Sequence, residues 1–227
     1  KVKVFSEDYK AFSTGKSDIQ ANQERLFLCI CNNERKEVIP SALNYTGGKY
    51  KLLSQILPLF PKVMPLTFGT TPINAKNTFV GINVDCNKVL FNDSNEYLVG
   101  LLDTFRRLTK EEIFDWIYKS IDKYGLSLVS KNGYDFYNCE SSKGLGEYNK
   151  AGYNKLRGDF NKKASKDNEY YLMLYLLIVY SFNNQLRFNR KGEFNLPVGK
   201  RDFNSKMRGK LEAFIDRVKS GDYRFTT

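Results

Sequence analysis

The sequence predicts an α/β protein whose sheet is interrupted by a helical region and a β-hairpin. Three observations predict it. Two β-like runs, Thr78–Val84 and Lys88–Phe91, are followed by a helical pattern at Leu98, Leu101, Leu102 and Phe105. A run hydrophobic on most sides, Tyr170–Phe182, has the length of a buried core helix. Residues 183–204 then alternate basic, aromatic and amide side chains around Lys191-Gly192-Glu193, where a hairpin would turn, and reach Pro197, where a strand should stop.

Taken in order, residues 1–36 are mixed, with Arg25–Cys31 reading as a short buried strand. Leu52, Leu53, Ile56 and Leu57 mark one face of a helix entered through Gly47-Gly48-Lys49. A glycine turn feeding a helix exposes backbone N–H groups that can hold a carboxylate or phosphate, and it is equally an ordinary turn beside a solvated lysine. Pro61, Pro65 and Pro72 predict a loop over 61–77. The strand Lys88–Phe91 runs into Asn92-Asp93-Ser94-Asn95. An acid at the carboxyl end of such a strand can bond ribose hydroxyls, and Asp93 or Ser94 can equally cap the next helix.

Residues 109–123 read as a helix with Ile113, Trp116, Ile117 and Ile121 on one side and a capping box between Thr109 and Glu112. Gly, Asn, Lys and Tyr over 124–168 predict irregular structure with an exposed basic segment, Tyr153–Asn161. After the hairpin, Met207, Leu211, Phe214, Ile215 and Val218 form one more amphipathic face, and a further strand is expected near Asp222–Thr227.

The net charge of +11 is concentrated. Residues 187–210 hold eight Lys/Arg against two acids, and residues 149–166 hold six against one. Two such patches suggest a polyanionic partner, because each cation that neutralises a phosphate releases a counterion; a single patch would read as a solvated face. A basic ribbon fits the major groove of duplex DNA, where Arg bonds guanine and Asn or Gln bonds adenine.

With no histidine, and with Cys29, Cys31, Cys86 and Cys139 offering only one Cys-X-Cys pair, zinc binding and histidine-based catalysis are not expected. The four cysteines read as buried, reduced thiols of a cytoplasmic protein. No apolar run is long enough for a membrane span, and a start at Lys1 without a signal pattern predicts a trimmed chain.

Four pieces stand in a recognisable order: Asn44-Tyr-Thr-Gly-Gly-Lys49, Asn92-Asp-Ser-Asn95, Leu156-Arg-Gly-Asp-Phe-Asn161 and Arg187-Phe-Asn-Arg-Lys-Gly-Glu-Phe-Asn-Leu-Pro-Val-Gly199. Together, over roughly residues 38 to 220, they resemble the Dam-like family of DNA adenine N6-methyltransferases, the hairpin motif being the most specific. The resemblance implies an incomplete Rossmann-like methyltransferase sheet carrying an inserted helical and β-hairpin target-recognition region. Residues 1–99 would form the N-terminal part of the catalytic domain, 100–204 the recognition region and 205–227 a helix returning to the catalytic domain.

The resemblance further implies S-adenosylmethionine as cofactor, held by Tyr45, Gly47, Gly48, Lys49 and Asp93. It implies double-stranded DNA as partner, with Arg187 and Asn189 first among Arg157, Asn184, Gln185, Arg190, Lys191, Asn195, Lys200 and Arg201 as DNA contacts. The setting it implies is restriction-modification in a bacterial or phage-type cytoplasm.

Two features depart from the family. Phe79-Val-Gly-Ile-Asn-Val84 runs straight on where the family has a Phe-x-Gly-x-Gly loop, as though a loop were excised between Val80 and Gly81, and Phe68–Pro72 is a poor substitute. The family's catalytic Asp-Pro-Pro-Tyr motif, which holds and stacks on the flipped adenine, is absent: none of the six prolines is followed by another. The expectation is a truncated methylase whose missing catalytic segment or complementary subunit lies elsewhere and which transfers no methyl group alone. The second reading is a non-catalytic or split-methylase DNA-binding module.

Overall fold

The computed structural model describes residues 38–43, 53, 71–72, 83, 88–140 and 142–227. In chain order they form β1 (Thr71–Pro72), β2 (Lys88–Asn92), α1 (Glu96–Arg107), α2 (Lys110–Tyr124), α3 (Val129–Asn132), α4 (Gly146–Lys162), α5 (Asn168–Tyr180), α6 (Ser205–Lys219) and β3 (Asp222–Thr226). Short 3-10 turns lie at Asp135–Tyr137 and Phe182–Asn184. The expected features at Arg25–Cys31, Tyr45 and Gly47–Lys49, with Cys29, Cys31 and Cys86, fall outside the described residues.

The three strands form one parallel sheet in the order β1-β2-β3. Parallel neighbours require a crossover, and the crossover from β2 to β3 contains α1 through α6. In β3 the side chains alternate, with Tyr223 and Phe225 buried and their neighbours exposed. Phe91 of β2 stacks on Phe225 at 5.0 Å and on Tyr223 at 6.3 Å, so one face of the sheet joins the core beneath α1 and α6. The expected final strand is thus present. Thr71–Pro72, expected as loop, is instead a short strand paired with Phe91 and Asn92.

α5 occupies the centre. Every residue from Tyr170 to Tyr180 is buried, because α1 and α4 both pack against it. Its tyrosine hydroxyls reach buried carbonyls, Tyr180 that of Ser127 at 2.6 Å and Tyr175 that of Ala42 at 3.4 Å, which keeps these polar tips satisfied inside. The helix stops at Tyr180, where the amide of Asn184 donates to the carbonyls of Ile178 and Val179.

α1, α2 and α6 match their apolar spacing, and Thr109 and Glu112 form the expected capping box. The cap of α1 is neither Asp93 nor Ser94 but Asn95, whose Oδ1 accepts from Tyr97 and Leu98. Asp93 is still in the sheet, its N–H donating to Thr226, so the helix cannot begin there.

Three further expectations are corrected. Residues 146–162 are helical rather than irregular, and Tyr153, Leu156 and Phe160 of the supposedly exposed segment are buried against α5. Asn83, within the run expected as strand, has helical backbone, and its amide bonds both the N–H and the carbonyl of Ile39. Cys139 is half-buried, its thiol directed to the Gly144 carbonyl at 2.7 Å. Leu53 is helical and fully buried, in keeping with its expected face. Among the described residues no helix is long and apolar enough to cross a membrane.

Candidate nucleic-acid interface

The loop between α5 and α6 turns where its sequence says it should. Gly192 has φ 76°, and its N–H donates to Asn189 at 3.0 Å. The side chain of Asn189 closes the turn from within, its Oδ1 accepting from Lys191 and Glu193 and its Nδ2 donating to the Glu193 carboxylate. A continuous β-ribbon does not follow. Among the described residues the two legs share isolated antiparallel bridges, Ser181 with Val198 and Phe188 with Phe194, in place of a ladder.

The returning leg bonds to α4 instead. Asn161 grips the backbone of Phe194 at both ends, accepting from its N–H at 2.8 Å and donating to its carbonyl at 3.1 Å. Arg157 Nη1 and the Tyr153 hydroxyl both donate to the Leu196 carbonyl, at 2.8 and 3.1 Å. Residues 153, 157 and 161 are four apart, so they lie in one row along the helix. One turn earlier in the same row, Asn149 bonds Ser127 by both ends of its amide.

Rings fasten the loop from the other side, with Phe188 stacked on Tyr97 at 3.9 Å and edge-on to Phe194 at 5.8 Å. At the loop's base the Gly199 N–H donates to Tyr180 at 2.7 Å, and a Cβ at Gly199 would run into the Ser181 carbonyl. Only glycine lets these backbones meet.

This scaffold sorts the candidate residues. Arg187, Arg190, Lys191, Lys200, Arg201 and Gln185 are exposed. Arg187 is braced, its Nε and Nη2 donating to the side chain and backbone oxygens of Asn195. Asn184 is buried as a helix terminator, and Arg157 is half-buried as a loop clamp. Sequence reasoning missed Asn161 and Tyr153 as clamps, and the spacing 149, 153, 157, 161 was the signal that could have found them.

The second candidate centre lies at the carboxyl end of β2, the middle strand. Asp93 is buried there; its Oδ1 accepts from Asn95 at 2.8 Å, and Oδ2 has no hydrogen-bond partner among the described residues. Burial pushes its carboxyl above the ordinary value, opposed in part by the Asn95 N–H. A half-satisfied carboxylate at the end of a parallel strand is poised to accept from a hydroxyl donor.

Comparison with known proteins follows the same ground. Type II methyltransferase M.FokI of Planomicrobium okeanokoites is 37% identical over 198 residues, 86% of this chain and 26% of that protein. Modification methylase StsI of Streptococcus sanguinis is 34% identical over 193 residues, 84% of this chain and 25% of that protein. DNA adenine methylase of Escherichia coli strain K12 is 27% identical over 158 residues, 70% of this chain and 47% of the relative. The chain therefore spans about a quarter of the length of the first two. The family model for D12 class N6 adenine-specific DNA methyltransferases matches residues 45–227, a span that takes in Asp93, the α4 clamp and the basic loop. By that match and those identities, the chain belongs to the D12 class of N6 adenine-specific DNA methyltransferases.

Proposed function

We propose that this chain provides the cofactor-binding and DNA-reading parts of a DNA adenine N6-methyltransferase. The observation that carries the reading is the 187–201 loop, which presents five exposed cations while its returning leg is fastened to α4. Cations on a rigid support lose little freedom when they meet phosphate or base edges, which raises affinity for duplex DNA. Arg187, held by Asn195, is the candidate for reading guanine and the exposed amide of Gln185 for adenine; the Asn189 amide is engaged in the turn and would meet adenine only by giving up those bonds. Arg190, Lys191, Lys200 and Arg201 would meet phosphates.

In this reading residues 100–204 are a recognition region set between two parts of a Rossmann-like catalytic domain, 1–99 and 205–227. S-adenosylmethionine supplies the methyl group when bound. Asp93 fits it, since a ribose hydroxyl is the kind of donor Oδ2 can accept. Tyr45, Gly47, Gly48 and Lys49 are proposed beside it from the family motif. The protein would work in the cytoplasm, with DNA, as the modification half of a restriction-modification pair.

These 227 residues contain no Asp-Pro-Pro-Tyr, which favours a second reading for the chain by itself, a DNA-binding module or a split methylase that needs a catalytic partner. A duplex assay with labelled cofactor separates the two. The chain alone should transfer no methyl group, and transfer would overturn this account of its chemistry. Calorimetric titration with S-adenosylmethionine should show saturable binding that Asp93→Ala weakens; no saturation in the wild type removes the cofactor half of the proposal. Arg187→Ala should weaken specific duplex binding by roughly 1–3 kcal/mol, and unchanged affinity for every duplex would take the loop out of the interface.

A further inference from the structure

Asp93 and the basic loop are joined by one turn of helix and one ring contact. Asp93 ends β2 with its N–H on the Thr226 carbonyl, so its backbone belongs to the sheet. Its Oδ1 accepts from the Asn95 N–H at 2.8 Å, and Asn95 Oδ1 in turn accepts from the N–H groups of Tyr97 and Leu98, at 3.1 and 3.2 Å. Two successive side-chain acceptors thus seat the first turn of α1 on the carboxylate. From that turn the Tyr97 ring stacks on Phe188 at 3.9 Å. Phe188 stands between Arg187 and Asn189 in the loop, and its ring also meets Phe194 and Phe160, at 5.8 and 6.4 Å. Lys166 steadies Tyr97, its Nζ 4.6 Å from the ring centre and 2.7 Å from the carboxylate of the adjoining Glu96. Asp93 Oδ2 is buried and has no hydrogen-bond partner among the described residues. A ribose hydroxyl donating to it would commit both oxygens, and a carboxylate held at both ends no longer swings away from Asn95. The cap, Tyr97 and Phe188 are then ordered before DNA arrives, and the DNA meets a loop with less freedom to lose.

We propose that Tyr97 is a positioning residue that couples the two sites. Through its stack on Phe188, cofactor bound at Asp93 steadies the recognition loop and tightens duplex binding, and by reciprocity duplex DNA tightens cofactor binding by the same factor. The inference rests on the reading of Asp93 as the ribose acceptor and of the 187–201 loop as the DNA reader. Tyr97 acts through Asn95 and Phe188 and needs no contact with either ligand, so its signature is the coupling between them.

The test is duplex affinity of the full chain, read by fluorescence anisotropy with and without saturating S-adenosylhomocysteine, which carries the same ribose and has no methyl group to transfer. In the wild type the ligand should raise duplex affinity about tenfold. Tyr97→Leu keeps apolar bulk and removes the ring; it should bring that enhancement close to nothing while each ligand still binds alone, and Tyr97→Phe should restore it. Phe188→Leu approaches the stack from the loop side and should abolish the enhancement independently. The double leucine variant should lose no more than either single one, because one contact carries the effect. Full enhancement in Tyr97→Leu overturns the proposal, as does a wild type that binds both ligands without enhancement. A wild type with no saturable binding of S-adenosylhomocysteine, or with no affinity for any duplex, fails instead at the reading of Asp93 or of the loop, and the coupling falls with it.

Discussion

Residues 149–166 and 187–210 look alike in the sequence, each a basic stretch with few acids, yet the fold uses their charge differently. In the first, Lys150 pairs with Glu147, Lys163 with Asp167 and Glu169, and Lys166 with Glu96, while Arg157 is committed to the Leu196 carbonyl. The other two, Lys155 and Lys162, have no ion pair among the described residues. In the second, Arg187, Arg190, Lys191, Lys200, Arg201 and Lys206 have no ion pair among the described residues. Net charge in a sequence window counts cations; it does not count those already answered by acids from elsewhere in the fold. The helix is the support and the loop is the electrode.

The largest effect should come from removing the exposed charges. Arg187→Ala, Arg190→Ala and Lys191→Ala combined should lower duplex affinity by about two orders of magnitude at 0.15 M salt, and each phosphate left unneutralised should flatten the salt slope by about 0.9. Lys150→Ala with Lys163→Ala, which removes only paired charges, should leave the slope where it was. Equal flattening by the two sets would break the contrast between the regions.

Arg157→Ala tests the support itself. The Leu196 carbonyl would lose a charge-assisted bond, worth roughly 1.5–3 kcal/mol, and keep only the Tyr153 hydroxyl. A lower melting temperature is expected, with a salt slope close to wild type. A reduced slope with unchanged melting would instead make Arg157 a phosphate-binding residue.

The acid at the sheet should respond to pH where the cations do not. Burial raises the Asp93 pKa, so as pH falls from neutrality the folded, cofactor-free protein takes up this proton before an ordinary aspartate would. The ionised form is the one folding disfavours, so its cost is present above the raised pKa and is relieved as pH falls through it. Affinity for S-adenosylmethionine should decline across that same window, and Asp93→Asn should abolish the dependence. Titrations at several pH values would show it, and a pH-independent wild-type affinity would deny Asp93 the role.

How much of this was legible in the sequence varies with what competes against apolar spacing. α1, α2, α5 and α6 show their apolar faces plainly, and Lys191-Gly192-Glu193 marks the turn. α4 hides its pattern because packing filled it with poor helix formers. A Cβ at Gly152 would collide with the Tyr124 carbonyl, so the close approach of α2 and α4 demands glycine in mid-helix, whatever its propensity. Asn149 and Asn161 are there to bond backbone rather than to favour helix. At Asp93 the strand simply continues further than the cap signal implies, since its N–H belongs to β3. The loop's missing ladder follows from the same cause as the hidden helix, because donors and acceptors of one leg are taken by α4.

The smallest effect expected is also the sharpest check on the helix as support. Lys166 reaches Glu96 at 2.7 Å and sits 4.6 Å from the centre of the Tyr97 ring, which in turn stacks on Phe188 of the loop. The pair is solvent-exposed on both sides, so screening and side-chain entropy leave it about 0–1 kcal/mol, and Lys166→Ala should barely move the melting temperature. DNA affinity should fall little and the salt slope not at all, because a lysine already answered by a carboxylate neutralises no phosphate and so releases no counterion from the DNA. A slope reduced by about 0.9 would mean that Lys166 leaves Glu96 for a phosphate on binding, and the two basic stretches would then form one continuous interface.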